Sequence, residues 1–213
     1  MQISKSVVSL LHQIKKKENK NMCIAILNQK HELSLETITN SWYNNPQGGG
    51  LLFVNKKTGK LQSFKTFELK QFYKAYLEFL DLAKDGKIIL HFRIATQGTK
   101  SLDNLHPFVN EISGLGFVHN GIISQHCDRN NSKSDTALFN DVVVTKLDSD
   151  FVNDKDLQTR MEKYVGRWNK LIFMNDDADT TIINEVQGEW VNDQWFSNDS
   201  WCTSNRYHGH IKM

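Results

Sequence analysis

The residue that most strongly suggests chemistry is Cys23, which directly follows Met22 and opens the apolar run 23–27. A cysteine after a methionine can become the first residue of a mature chain, which would place a thiol and a free α-amine on one residue. A thiolate is a strong nucleophile, and an α-amine with a pKa of about 7.7–8.0 can take up a proton near neutral pH. Such a pair is suited to amide hydrolysis. The competing interpretation is a buried, inert strand cysteine.

Three further segments place polar side chains at predicted strand ends and turns. Arg93 ends a strand and could bind a carboxylate in bidentate fashion, or pair with a structural acid. Asn120 and Gly121 could direct a side-chain amide and a backbone N–H at one point, as an oxyanion hole does, or form a plain turn. Asp135, after Ser134, could bind an ammonium group, or complement the start of a helix.

Five short segments carry these residues in order: Met22-Cys23-Ile24-Ala25, His91-Phe92-Arg93-Ile94-Ala95-Thr96-Gln97-Gly98, Asn104-Leu105-His106-Pro107-Phe108, His119-Asn120-Gly121 and Ser134-Asp135-Thr136. In this order and rough spacing they resemble class II glutamine amidotransferase domains, which are N-terminal-nucleophile hydrolases. The resemblance covers residues 22–200 and is typical of compact, stand-alone members.

The resemblance implies a role for each site residue. Cys23 would attack the side-chain amide carbon of glutamine, with its own α-amine as the base. A γ-glutamyl thioester would form, ammonia would leave, and water would then release glutamate. Asn120 and Gly121 would stabilise the tetrahedral oxyanion.

The resemblance also implies how the substrate is bound. Arg93 would bind the α-carboxylate of glutamine and Asp135 its α-ammonium group, while Thr96 and Gln97 would line the same pocket. Many family members have histidine where this chain has Gln97, which leaves open hydrolysis of γ-glutamyl or related amides. A non-catalytic glutamine-binding module is the remaining alternative.

The pattern of elements predicts an α+β fold with largely antiparallel sheets, because the strands are linked mainly by hairpins and meanders. The resemblance makes this a four-layer αββα sandwich of two sheets flanked by helices. Among the individual elements, we expect a helix from Thr66 that ends at Gly86, a helix from Ser134 to about Leu147, and one closing strand over Glu189–Phe196.

The chain divides into an N-terminal extension, residues 1–21, and one amidotransferase-like domain, residues 22–213. The extension lacks the order of charged and apolar segments that a signal peptide has. It is interpreted as a propeptide, as the product of an upstream start codon that is not the real one, or as a small amphipathic helix. Removal of the extension together with Met22 would expose the α-amine of Cys23.

The composition of the chain argues against some classes of binding partner. The net charge is +2, from 26 basic and 24 acidic residues, which gives no basis for binding to nucleic acid or to a membrane. Three cysteines without paired spacing suggest a reducing, cytoplasmic environment. No metal or cofactor motif is present, so we expect neither. The remaining residues are too few for a synthase domain, so we expect either a separate protein that accepts the ammonia or a domain that is simply an amidohydrolase.

Overall fold

The computed structural model describes residues 22–95, 98–128 and 130–202. The predicted extension, residues 1–21, lies outside these ranges, as do Thr96 and Gln97. Within them the chain forms a mixed α/β fold of ten β-strands in two antiparallel sheets and four α-helices. None of the helices in these ranges has the length and apolar character needed to cross a bilayer.

The strands and helices are numbered in chain order. The strands are β1 (Ile24–Asn28), β2 (Gly49–Asn55), β3 (Lys60–Thr66), β4 (Ala83–Phe92), β5 (Phe108–Asn110), β6 (Leu115–Asn120), β7 (Lys170–Asn175), β8 (Thr180–Ile183), β9 (Glu189–Val191) and β10 (Gln194–Phe196). The helices are α1 (Leu35–Asn44), α2 (Leu69–Leu80), α3 (Asp135–Val142) and α4 (Lys155–Val165). The large sheet has the order β3-β2-β4-β1-β10-β9, and the small sheet has the order β5-β6-β7-β8.

Three apolar clusters use both faces of each sheet. Ile24 and Ile26 of β1 pack with residues of α1 and α2, whereas Ala25 and Leu27 lie in a second cluster with residues of the small sheet. The small sheet alternates in the same way: Phe173 of β7 packs with residues of α3 and α4, and its neighbours face the large sheet. Burial on both faces explains why β1 is a continuous apolar run, since successive side chains of a strand point to opposite faces.

The helix predicted over Thr66–Gly86 is shorter at both ends. Thr66 is the last residue of β3, and α2 begins at Leu69. The helix ends at Leu80, and Gly86 lies inside β4 with φ of 66°. The apolar period continued to Ala83, but Ala83 reaches the same core from β4. A helix and a strand that face one core can therefore produce one unbroken apolar period.

Two other boundaries also differ from the sequence prediction. The helix that starts after Ser134 ends at Val142 and not near Leu147, and a 3₁₀ turn, Val144–Lys146, follows it. The run of β-branched residues 142–145 lowers helix propensity at that point. The predicted strand Glu189–Phe196 is the hairpin β9–β10, turned by Asn192 and Asp193 with φ of 50° and 62°. Asn and Asp tolerate this left-handed conformation.

Candidate active site

Cys23 lies just before β1, a strand between β4 and β10 of the large sheet. Its thiol donates to the carbonyl oxygen of Ile94 at 3.3 Å, and its sulfur accepts the N–H of Ile94 at 3.4 Å. The carbonyl oxygen of Cys23 accepts from the side-chain amides of Asn120 and Asn198, the latter at 2.8 Å. The half-buried thiol is thus positioned by backbone groups, and its own backbone by two amides.

Burial raises the pKa of the Cys23 thiol to about 11, and the hydrogen bond with Ile94 and the charge of Arg93 only partly oppose that effect. At neutral pH the thiol is therefore protonated. Because the thiolate is the nucleophilic form, chemistry at Cys23 requires a base that removes the proton as the bond to the substrate forms.

Arg93 follows β4 and is held by the loop that precedes β2. Its backbone N–H donates to the carbonyl oxygen of Gly48 at 2.8 Å, and its carbonyl oxygen accepts the N–H of Gln47 at 3.0 Å. The guanidinium donates from Nη1 to the carbonyl oxygen of Thr99 at 3.4 Å. Burial lowers the pKa of Arg93, while the nearby Cys23 and Asp135 oppose that shift. Arg93 therefore brings a buried cation within electrostatic range of the thiol and of Asp135.

Asn120 is the last residue of β6, and Gly121 follows it. Asn120 is fully buried, and its Oδ1 has no hydrogen-bond partner within the described residues. Gly121 has φ of 146°, and a Cβ there would lie 2.3 Å from Oδ1 of Asn169. Only glycine fits this position, since a side chain would be both strained and obstructed.

Asp135 is the first residue of α3, but Ser134 caps the helix, since its hydroxyl accepts the N–H of Ala137 at 3.1 Å. The carboxylate of Asp135 turns inward, is 5% exposed and accepts the N–H of Ile123 at 2.7 Å. Asp135 therefore does more than complement the helix dipole, because it brings a buried anion to the site.

The predicted residues Cys23, Arg93, Gly121 and Asp135 line one cavity of about 20 Å³. Asn120 reaches the same place through the Cys23 carbonyl, whereas Thr96 and Gln97 lie outside the described residues. The cavity has room for about one water molecule. A larger, open cleft of about 430 Å³ contains none of the predicted site residues.

Three buried histidines support the cavity wall. Asn169 donates from Nδ2 to the carbonyl of Val165 at 2.5 Å, so its Oδ1 accepts from Nε2 of His119 at 2.8 Å. Nδ1 of His119 then accepts the hydroxyl of Thr136 at 2.7 Å. His91 binds the carbonyl oxygen of His119 at 3.0 Å. These contacts connect β4, β6, α3 and the segment before β7.

Burial also decides the charge of these three rings. It lowers the pKa of His91 to about 3 and the pKa values of His106 and His119 below their usual range. All three rings are therefore neutral at pH 7. They shape the wall without adding positive charge, so Arg93 is the cation among the residues that line this cavity.

Four polar residues near the site had been given no role from the sequence, although Asn104 lies in one of the segments that carry the resemblance. Asn198 holds the Cys23 carbonyl, Ser197 accepts the N–H of Ala25 at 2.9 Å, and Gln47 accepts the N–H of Ala95. Asn104 bridges two loops at the cavity wall. Each is a polar residue just after a strand or in a loop, which is a weak signal by itself. Over the described ranges, no group of three or more His, Cys, Asp or Glu residues is arranged to hold a metal ion.

No family model matches the chain, and no curated protein matches it. Among solved structures, the fold is similar to glutamine phosphoribosylpyrophosphate (PRPP) amidotransferase from B. subtilis, described as complexed with ADP and GMP. The sequences are 13% identical, the TM-score is 0.49, and the match covers 82% of this chain and 41% of that one. The match thus spans about two fifths of the length of that chain. We take no function from this likeness.

Proposed function

We propose that this chain hydrolyses the side-chain amide of glutamine, with Cys23 as an N-terminal nucleophile. The observation that carries the proposal is that Cys23, Arg93, Gly121 and Asp135 line one small cavity. A glutamine molecule carries an α-carboxylate, an α-ammonium group and a reactive amide. A buried cation, a buried anion and a thiol in one cavity match these three features.

The reaction has two stages. The thiol of Cys23 attacks the amide carbon while its proton passes to the α-amine of the same residue, and a tetrahedral intermediate forms. The C–N bond then breaks, the amine returns the proton to the leaving nitrogen, and ammonia departs from a γ-glutamyl thioester. Water attacks the thioester with the α-amine again as base, which releases glutamate and restores the thiol.

The oxyanion of each tetrahedral intermediate needs donors that are in place before it forms. The backbone N–H of Gly121 is one. The side-chain amide of Asn120 has two N–H bonds, and the bond to the Cys23 carbonyl uses one of them. The second N–H is the other donor in this proposal.

Catalysis of this kind requires the α-amine of Cys23 to be free. With Met22 attached that nitrogen is an amide, and a thiol with a pKa of about 11 has no base of its own. We therefore propose that residues 1–22 are absent from the active form.

The proposal extends to fold and partners. The apolar clusters between the sheets and on their outer faces support a four-layer αββα order, as the sequence resemblance implies. The ammonia would pass to a synthase on another chain, and the reducing environment that suits an unpaired nucleophilic cysteine is the cytoplasm.

The test is the intact mass of the protein before and after incubation with a diazo-ketone analogue of glutamine. We expect a mass with Cys23 as the first residue and, after incubation, one covalent adduct that the Cys23→Ala variant does not form. A chain translated from Met22, with that methionine removed, supplies the free amine independently of processing. The proposal is wrong if this second chain, correctly folded, takes no adduct at Cys23.

A further inference from the structure

Asn104 connects two loops that meet at the wall of the candidate site. It ends a short 3₁₀ turn and is 2% exposed. Its Nδ2 donates to the carbonyl oxygens of Thr99 at 3.0 Å and Ser132 at 2.7 Å, and its Oδ1 accepts the N–H of Ser134 at 2.7 Å. These four residues are called the Asn104 junction below. Both ends of one side-chain amide are thus fully used.

The Asn104 junction is linked to both buried charges of the site, to Arg93 through Thr99 and to Asp135 through Ser134. The carbonyl oxygen of Thr99 also accepts from Nη1 of Arg93 at 3.4 Å. Ser134 immediately precedes Asp135 and caps the helix that carries it. A continuous path of hydrogen bonds and one peptide link therefore runs from the cation, through Asn104, to the anion.

The Asn104 junction is also closely packed. The N–H of Thr99 donates to the carbonyl oxygen of Ser132 at 3.0 Å. Gly98 has φ of 77°, and a Cβ there would lie 2.8 Å from the nitrogen of Ser134 and 3.0 Å from Nδ2 of Asn104. The two segments are therefore in direct contact at the Asn104 side chain.

We propose that Asn104 is a positioning residue that sets the separation between Arg93 and Asp135 and so selects α-amino acid substrates. This inference rests on the proposed function. The α-carboxylate and α-ammonium groups of an amino acid are attached to one carbon, so their separation is fixed in the substrate. Two protein charges bind them together only if their own separation is equally fixed, because misplacement by about 1 Å can cost roughly 100-fold in rate.

The experiment separates substrate docking from thiol reactivity in the processed protein. Two reagents are compared at Cys23: the diazo-ketone analogue of glutamine, which carries both α-groups, and iodoacetamide, which carries neither. For Asn104→Ala, which removes its hydrogen bonds to Thr99, Ser132 and Ser134, we expect the half-saturating concentration of the diazo-ketone to rise about tenfold. The rate of alkylation by iodoacetamide should stay within about twofold.

A matched control is Ser101→Ala, in the same segment. The Ser101 hydroxyl accepts the N–H of Asp103 at 3.1 Å and bonds to its carboxylate, so this variant removes the cap of the turn that carries Asn104 but deletes no hydrogen bond of the Asn104 junction. The half-saturating concentration of the diazo-ketone and the rate of alkylation by iodoacetamide should both stay at their wild-type values. If Asn104→Ala does not fold, as judged by thermal unfolding, Gly98→Ala disturbs the same junction from the other side and must show the same selective loss.

The inference is overturned if a folded Asn104→Ala variant binds the diazo-ketone as the wild type does, or if its reactions with both reagents fall in parallel. The second result would mean that Asn104 only supports the fold. Failure of the proposed function is a different result: the wild type itself would react with iodoacetamide at Cys23 but show no saturable reaction with the diazo-ketone. That result would overturn the inference as well.

Discussion

The two halves of the site are held in different ways. In the half that belongs to the large sheet, backbone groups position Cys23 and Arg93: the peptide of Ile94 binds the thiol, and the loop at Gly48 binds the backbone of Arg93. In the half that belongs to the small sheet, side chains bind side chains, as in the contacts of His119 with Thr136 and Asn169.

This difference means that the small-sheet half sets the shape of the site, whereas the large-sheet half carries the reacting group. In the small-sheet half the buried Asp135 carboxylate lies among neutral, hydrogen-bonded side chains, and these contacts set the shape of that half before any substrate arrives. The large-sheet half contains the reacting group, but burial keeps the Cys23 thiol protonated. In the proposed mechanism, release of the α-amine of Cys23 supplies the base that this protonated thiol lacks.

The largest effect should come from the reacting group of the large-sheet half. Cys23→Ala should lower release of ammonia from glutamine by about 10⁴-fold or more, since loss of a nucleophile removes the covalent route. The thermal unfolding midpoint should hardly change. Cys127→Ala, at an exposed cysteine, is the matched control and should remain active. Retention of most activity in Cys23→Ala would show that the chemistry lies elsewhere.

A smaller effect is expected at the boundary of the two halves, where Asn120 and Asn198 bind the same carbonyl oxygen of Cys23. Asn120→Ala should lower kcat by about 10²–10³-fold if its amide also binds the oxyanion. Asn198→Ala removes the other anchor of that carbonyl and should cost about tenfold at most. Equal losses in the two variants would mean that Asn120 is only an anchor.

The smallest effect concerns the buried histidines of the small-sheet half and its border. Their folded pKa values lie below the unfolded value of about 6.5, so below that pH the unfolded chain binds more protons than the folded one. The free energy of unfolding should therefore be constant near neutral pH with respect to these groups. It should fall as the pH drops below 6.5, by up to about 1.4 kcal/mol per pH unit for each histidine.

His106 is the ring to change, since neither nitrogen has a hydrogen-bond partner among the described residues. Between pH 6 and 4, unfolding of the wild type should take up about one proton at His106. His106→Leu should therefore reduce the slope of the unfolding free energy against pH by about 1.4 kcal/mol per pH unit. Urea unfolding at several pH values measures that slope. His31→Asn, at an exposed position, is the control for replacing a histidine at the surface. An unchanged slope in His106→Leu would mean that this ring is protonated in the folded state.

Short-range sequence patterns were sufficient to predict part of the fold and part of the site. Cys23, Arg93, Asn120 and Asp135 each stand at the end of a strand or the start of a helix, and such ends are visible in a short window of sequence. The structure places these residues around one point, but it does not test the roles that the resemblance implies for them. The helix expected to end at Gly86 was wrong because Ala83 continues the apolar period from a strand.

What the sequence by itself determined is the set of reactive residue types and the elements that carry them, because periodicity, caps and turn dipeptides act over a few residues. Only the tertiary structure decided which polar side chains hold that set in place. Asn198 meets the Cys23 carbonyl from 175 residues away, and Asn104 meets Ser134 from 30 residues away. The physical reason is that a hydrogen bond depends on distance and angle in space, and no local pattern specifies which distant backbone group will become its partner.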